Sequence, residues 1–347
     1  MGPKNNKKMP KYPFVSICTP TFNRRPFIPI IIKCFENQDY PKDKMEWIIV
    51  DDGTDKIEDL VSHIPQVKYF KYDEKMTVGK KRNITNSKAK GSIIVYMDDD
   101  DYYPSNRVSH AVEKLQGSPA LCAGSSEMFI YFKHISKMYK FGPYGPNHST
   151  AATFAFKREL LQKTKFDETS AVAEEKKFLK DYTIPFVQLD SNKTILVFSH
   201  NQNSFDKKEL LKQGPNPNMA ESLLTPDYFV KEPDVLKFFM EDINNLLDNY
   251  SPGDVKFKPD VVKQLADLAA QREKMMQEHI QKQSAQNIIN ELNKVIQQKT
   301  TEIDQLKGTV QQKVLENDQL KEQIKYVNDK IKQLITEKIQ DKKKAVL

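Results

Sequence analysis

Cysteine is scarce in this 347-residue sequence: Cys18, Cys34 and Cys122, with no Cys-x-x-Cys spacing. That argues against a disulfide framework or a cysteine-based zinc site and points to a reducing compartment. Long apolar runs are also missing. The longest, Phe27–Phe35, is broken by Pro29 and Lys33, whereas a bilayer span needs ~20 residues. The basic start MGPKNNKKMPKYP lacks the apolar stretch of a signal peptide. A soluble, cytoplasmic protein with no membrane span is expected. Basic residues do not cluster with aromatics: the net charge of +7 comes from scattered lysines, many in the last third. Such a pattern is a solvated face rather than a nucleic-acid footprint, so no nucleic-acid partner is expected. Proline disappears after Pro259, and Gly308 is the sole glycine beyond it.

A hydrophobic content of 38% suffices for a core, but 29% charged residues and a mean hydropathy of −0.65 are polar for a single globule. Part of the chain should be elongated. The N-terminal two hundred residues alternate strand and helix patterns. Strands are predicted at Phe14–Thr19, closing at Pro20, and at Trp47–Val50, Val67–Tyr72 and Ser92–Met97. Helices are predicted over Phe27–Phe35, opened by Pro26, and over Lys80–Lys90, stopped by Gly91. This alternation predicts an α/β fold, a mainly parallel sheet with helices on both faces. Ligands then sit beyond the carboxyl ends of the strands. Three polar segments, Thr19–Asn23, Asp51–Thr54 and Asp98–Asp101, follow strand ends, and one crevice would gather them. Further on, a helix is expected around Ala173–Lys180 and strands at Phe186–Leu189 and Thr194–Ser199. Gln213–Pro217 reads as a linker, and 219–250 as helical. The expected divisions are a basic tail at 1–13, a catalytic domain at 14–206, a linker and helical extension at 207–259, and an oligomerisation region at 260–347.

The tail carries a seven-residue repeat. Ile289, Ile296, Ile303, Val310, Asn317, Ile324 and Ile331 occupy a; Leu292, Leu306, Leu320, Val327 and Leu334 stand among the d positions, with Lys299 and Lys313 weakening two layers and leaving trimeric or antiparallel forms open. β-branched residues at a with Leu at d favour a parallel two-stranded coiled coil, whose register Asn317 would fix. Glu302 would reach Lys307 of the partner, and Glu316 would reach Lys321. A homodimer with a rod of ~75 Å over Ala285–Leu334 is expected.

The strongest chemical signal is VYMDDDDYYP at 95–104. Two unit charges at about 4 Å repel by roughly 4 kcal/mol at an effective dielectric of 20. A folded chain tolerates such a run if it is solvated, protonated or occupied by a cation. A helix N-cap would need only one of these acids. Hard oxygen donors suit Mg²⁺ or Mn²⁺.

VSICTPTFNRRP, then WIIVDDGT, then GKKRNITNSKAKGSIIVYMDDDDYYP resemble, in order and spacing, the N-terminal half of glycosyltransferase family 2. The resemblance continues more weakly through STAATFAFKREL and FDETSAVAEEKKFL to SHNQNSFD. It covers about residues 14–206 and none of the tail, and its flavour is that of enzymes encoded by large DNA viruses, whose setting would be host cytoplasm or virion. It implies a GT-A fold, Rossmann-like, and an inverting, metal-dependent transfer from a nucleotide-diphosphate sugar, a UDP-sugar, to a protein or glycan acceptor. Pro20 and Thr21 would line the nucleotide pocket and Asp52 would hydrogen-bond the base. Asp98 and Asp100 would form the metal-binding DXD motif around Asp99, with Asp101 as an extra acid. Arg82 would reach a diphosphate oxygen or order the acid loop; Lys80 and Lys81 would face solvent. The family's acceptor pair reads Glu174-Glu175 here, with Glu175 as general base and Glu174 as the alternative. His200 would be a third metal ligand, and His148 would lie near an acceptor loop. Two rivals compete: a metal-dependent nucleotidyltransferase, which should show a Gly-rich or Lys-bearing loop that TPTFNRR lacks, and a coiled-coil scaffold carrying an inactive domain.

Overall fold

The protein is described by a computed structural model over residues 11–212 and 216–344. The expected basic tail at 1–13 thus lies outside the described residues except for 11–13, as does the linker Gln213–Pro217 except for Asn216 and Pro217. Among the described residues the strands are β1 (Val15–Thr21), β2 (Met45–Asp51), β3 (Val67–Lys71), β4 (Ile93–Tyr96), β5 (Cys122–Gly124), β6 (Met128–Phe132), β7 (Lys137–Phe141), β8 (Ala155–Lys157), β9 (Phe186–Gln188), β10 (Leu196–Ser199) and β11 (Met219–Glu221). The helices used below are α1 (Ile28–Glu36), α2 (Val78–Lys88), α3 (Arg107–Gln116), α4 (Glu175–Phe178) and α5 (Pro259–Lys344).

The main sheet has seven strands in the order β3-β2-β1-β4-β8-β5-β9. The β1–β4 core is parallel, as the alternation predicts, and β8 runs antiparallel between β4 and β5. Side chains alternate between two cores. Val15, Ile17, Ile93 and Val95 face one core with Ile31 and Phe35 of α1 and Val108 and Leu115 of α3. Cys18, Ile48, Ile94 and Tyr96 face the other, with Phe154, Phe166 and Phe178. Helices therefore cover both faces. A second sheet, β10-β6-β7-β11, lies outside what the sequence pattern predicted.

Several boundaries shift for identifiable reasons. Strand β1 runs through Pro20 to Thr21, because pairing with β4 has already ended at Cys18↔Tyr96 and a missing N–H there is tolerated. Helix α2 stops at Lys88 because Ala89 turns extended; Gly91 serves close approach instead, since a Cβ there would meet Ser16 N at 2.4 Å. The helix expected over Ala173–Lys180 shrinks to α4, ended by Lys180, Asp181 and Tyr182, all with positive φ. The expected helical stretch at 219–250 begins instead as strand β11, paired with β7.

Residues 207–259 do not stand apart: one compact unit extends to Leu268, and a second comprises Ala269–Leu347. Phe239 stacks on Phe198 at 3.9 Å between ring centroids, which ties the extension to β10. In the second unit α5 continues as an uninterrupted helix to Lys344. Its heptad side chains are exposed in the single chain; Ile289 is 49% and Leu292 56% accessible. Lys299 pairs with Glu302 at 2.7 Å and Lys313 with Glu316 at 2.6 Å along the same helix. The two lysines at d are thus drawn toward acids rather than into a seam. Among the described residues no helix is long and apolar enough to cross a membrane.

Candidate active site

The sheet brings the three predicted segments together. Trp47 Nε1 donates to Thr19 Oγ1 at 2.8 Å, and that hydroxyl donates to Met97 O at 2.6 Å. This buried relay ties β2 to the carboxyl ends of β1 and β4. Beyond them opens a cavity of about 140 Å³, lined among others by Pro20, Arg24, Lys81, Arg82, Asp98 and Lys258.

The four adjacent acids are accommodated in three different ways. Asp98 receives a two-pronged contact from Arg82, Nη1 to Oδ1 at 3.0 Å and Nη2 to Oδ2 at 2.9 Å. Arg24 reaches Asp99 at 3.5 Å and Asp100 Oδ2 at 3.2 Å. Burial pushes Asp99 up to about 6 in spite of Arg24. Burial opposes ionisation of Asp100 too, but Arg24 and His200 hold it well below the usual carboxylate range. Burial and then the charge of Asp100 push Asp101 well above that range, and its Oδ1 has no hydrogen-bond partner. Two arginines and protonation therefore offset the repulsion. The role of Arg24, inside the quoted TFNRRP motif, was not foreseen.

His200 arrives beside Asp100 because Tyr102 and Leu196 exchange backbone hydrogen bonds at 3.0 and 2.9 Å, which registers β10 against the acid loop. Its Nε2 lies 3.3 Å from Asp100 Oδ2. Burial lowers His200 to about 4, so the ring is neutral; its Nδ1 accepts from Gln202 N at 3.2 Å and its Nε2 also lies 2.7 Å from Asn203 Nδ2. Among the described residues no group of three or more His, Cys, Asp or Glu converges to hold a metal. Asp100 and His200 nevertheless lie side by side, and a cation there would take over the place of the Asn203 and Asp100 contacts of His200 Nε2. The two suit a hard divalent cation that takes its other ligands from water and phosphate oxygens. Asp98, by contrast, has both oxygens engaged by Arg82.

Two lysine assignments divide. Lys80 is exposed as expected, but Lys81 is buried, and its Nζ lies 2.8 Å from Asp52 Oδ1 and 3.1 Å from Thr21 O. The fully buried Asp52 also accepts from Met76 N through Oδ2. Pro20 lines the cavity, and Thr21 is buried next to it.

The acceptor pair is split by Arg82. Its Nε donates to Glu174 Oε1 at 2.7 Å, burying Glu174 in an ion pair. Glu175 makes no ion pair among the described residues. Burial, then the charge of Glu174, pushes it up to about 7. His148 stacks between Tyr144 and Tyr182, each 4.9 Å away between ring centroids, and the charge of Glu175 acts on Tyr182.

The poly(ribitol-phosphate) β-N-acetylglucosaminyltransferase TarS of Staphylococcus aureus is 30% identical over 92 residues, 25% of this chain. The chain spans only 16% of that relative's length. Among solved structures, S. aureus TarS 1–349 in complex with UDP-GlcNAc is similar at 19% identity, covering 54% of this chain and 58% of that one with a TM-score of 0.44. The mannosyltransferase PcManGT from Pyrobaculum calidifontis, in complex with GDP-Man and Mn²⁺, covers 78% of this chain and 79% of its own at 18% identity and a TM-score of 0.45. Residues 16–182, which hold every predicted site residue except His200, match the family model for glycosyl transferase family 2.

Proposed function

We propose that this chain transfers a sugar from a nucleoside-diphosphate donor, a UDP-sugar, to an acceptor hydroxyl with inversion at the anomeric carbon, on a GT-A scaffold. The observation that carries this reading is the meeting of Pro20, Arg24, Arg82 and Asp98–Asp100 around one cavity at the strand ends, with Arg82 also joined to Glu174 of the acceptor pair. The acceptor oxygen attacks the anomeric carbon, the bond from that carbon to the donor phosphate oxygen breaks, and Glu175 takes the acceptor proton. The products are the glycosylated acceptor and UDP. Raised to about 7 and free of ion pairs, Glu175 suits a base working near neutrality. Glu174 is a positioning residue acting through Arg82. Asp52 retains lone pairs beyond the two engaged by Lys81 and Met76 and is read as the acceptor for an imide N–H of the base. Asp100 and His200 would hold Mn²⁺ or Mg²⁺, which neutralises charge on the diphosphate when bound. The exposed heptad face of α5 is read as the seam of a parallel homodimer, and the acceptor as a protein or glycan beside Tyr182 and His148.

The test is a screen of nucleotide sugars for release of the nucleoside diphosphate. Turnover of at least one UDP-sugar is expected, with Glu175→Gln losing about 10²–10⁴-fold. Failure of every nucleotide sugar, or full turnover by the variant, contradicts the assignment.

A further inference from the structure

Lys258 precedes α5 and lies outside the segment that matches the family model. Its side chain is not at the surface: Lys258 is 5% exposed and lines the cavity with Arg24 and Asp98–Asp100. Its Nζ has Ser204 Oγ at 3.4 Å, a long contact. It makes no ion pair among the described residues, unlike the other cations around the cavity. Lys81 is taken by Asp52, Arg82 by Asp98 and Glu174, and Lys75 by Asp260. Arg24, though paired with Asp99 and Asp100, keeps Nη1 buried without a hydrogen-bond partner. Burial, followed by the charge of Arg24, lowers Lys258 to about 7. A buried ammonium and a buried guanidinium N–H with open donor capacity are costly unless an anion meets them.

The segment carrying Lys258 is held firmly. Asn23 Nδ2 donates to Pro252 O at 2.9 Å, Lys75 pairs with Asp260, and Gln264 Oε1 accepts from Ala171 N at 2.8 Å. Residues 252–264 therefore form one wall of the cavity and are clamped to the loop after β1, to the segment before α2 and to the loop that leads into the acceptor pair.

We infer that Lys258 and the free Nη1 of Arg24 form the seat for the diphosphate of the nucleotide donor, so that the chain leading into α5 is part of the donor site. This rests on the donor reading above and extends it to a residue that the family match does not reach. An ammonium and a guanidinium lining one cavity suit an anion with several oxygens and more than one charge, which the diphosphate end of a nucleotide supplies.

The test is equilibrium binding of inorganic pyrophosphate, UDP and UMP, without divalent metal, to the full-length chain and to Lys258→Met and Lys258→Arg. An apolar side chain of similar volume replaces a buried charge with little loss of stability, so Lys258→Met is expected to fold; Lys258→Arg retains the charge and provides a second folded variant, and melting curves check both. Lys258→Met should weaken pyrophosphate and UDP by about tenfold or more, the loss of one charge-assisted hydrogen bond. It should leave UMP less affected, and Lys258→Arg should recover much of the difference. Equal loss of UDP and UMP would reduce Lys258 to a structural role, and unchanged pyrophosphate binding would overturn the seat. A wild-type chain that binds pyrophosphate but not UDP would sink the donor reading and leave the seat standing. A chain that binds neither would sink both.

Discussion

Nε of Arg82 lies 2.7 Å from Oε1 of Glu174, across 92 positions of sequence, while the other end of the same guanidinium grips Asp98. One side chain thus fixes the distance between the acid loop after β4 and the carboxylates at the start of α4. Arg82→Met removes the partner of two carboxylates at once, and breaking a buried pair costs about 3–5 kcal/mol. Denaturant unfolding should show a loss of that order. Arg82→Lys, with no fork to span both acids, should recover only part. A loss below about 1 kcal/mol would show that the pairing is not structural.

Glu175 should be visible in the pH dependence of both rate and stability. The rate should rise as pH increases through about 7, where Glu175 loses its proton. Burial and Glu174 place its folded value above the usual 4.5. At low pH the group is protonated in folded and unfolded chains alike, so Glu175→Gln changes little. Above about 7 it is ionised in both, and only the folded chain bears the buried charge. The variant should therefore melt higher at about pH 8, by about 2–4 °C for a gain on the order of 1 kcal/mol, and equally with the parent at about pH 4. Equal melting at both would place Glu175 in water.

Where the chain is cut matters. A chain ending at Leu268 keeps Lys258, Asp260 and Gln264 and should bind nucleotide as the full chain does, while light scattering reports a monomer. A chain ending at residue 256 lacks that wall and should lose nucleotide affinity. A dimer at Leu268 would remove the coiled coil as the seam, and full affinity at 256 would remove the wall from the site.

The sequence made legible what strand alternation and local charge dictate. The parallel β1–β4 core was predictable because buried strands there end in polar motifs. The meeting of Pro20, Asp98 and Asp100 around one cavity was predictable because each follows the end of an expected strand. What escaped were facts that depend on distant pairing. Nothing local distinguishes buried Lys81 and Lys258 from exposed Lys80 among 54 basic residues. Arg24 sat in a quoted motif, but its pairing with Asp99 and Asp100 depends on the turn after β1 facing the loop after β4. The second sheet escaped because β6, β7 and β11 are short and find partners through hairpin and long-range pairing. The length of α4 escaped because three consecutive residues after it adopt positive φ without a glycine.

Calorimetry of UDP binding, with Mn²⁺ and with chelator, to the full chain and to Asp100→Ala tests the central claim most directly. The account predicts that the parent binds UDP and binds it more tightly with Mn²⁺, and that Asp100→Ala loses the Mn²⁺ increment. No UDP binding by the parent, or an Asp100→Ala chain with the same affinity and the same metal response, would contradict it.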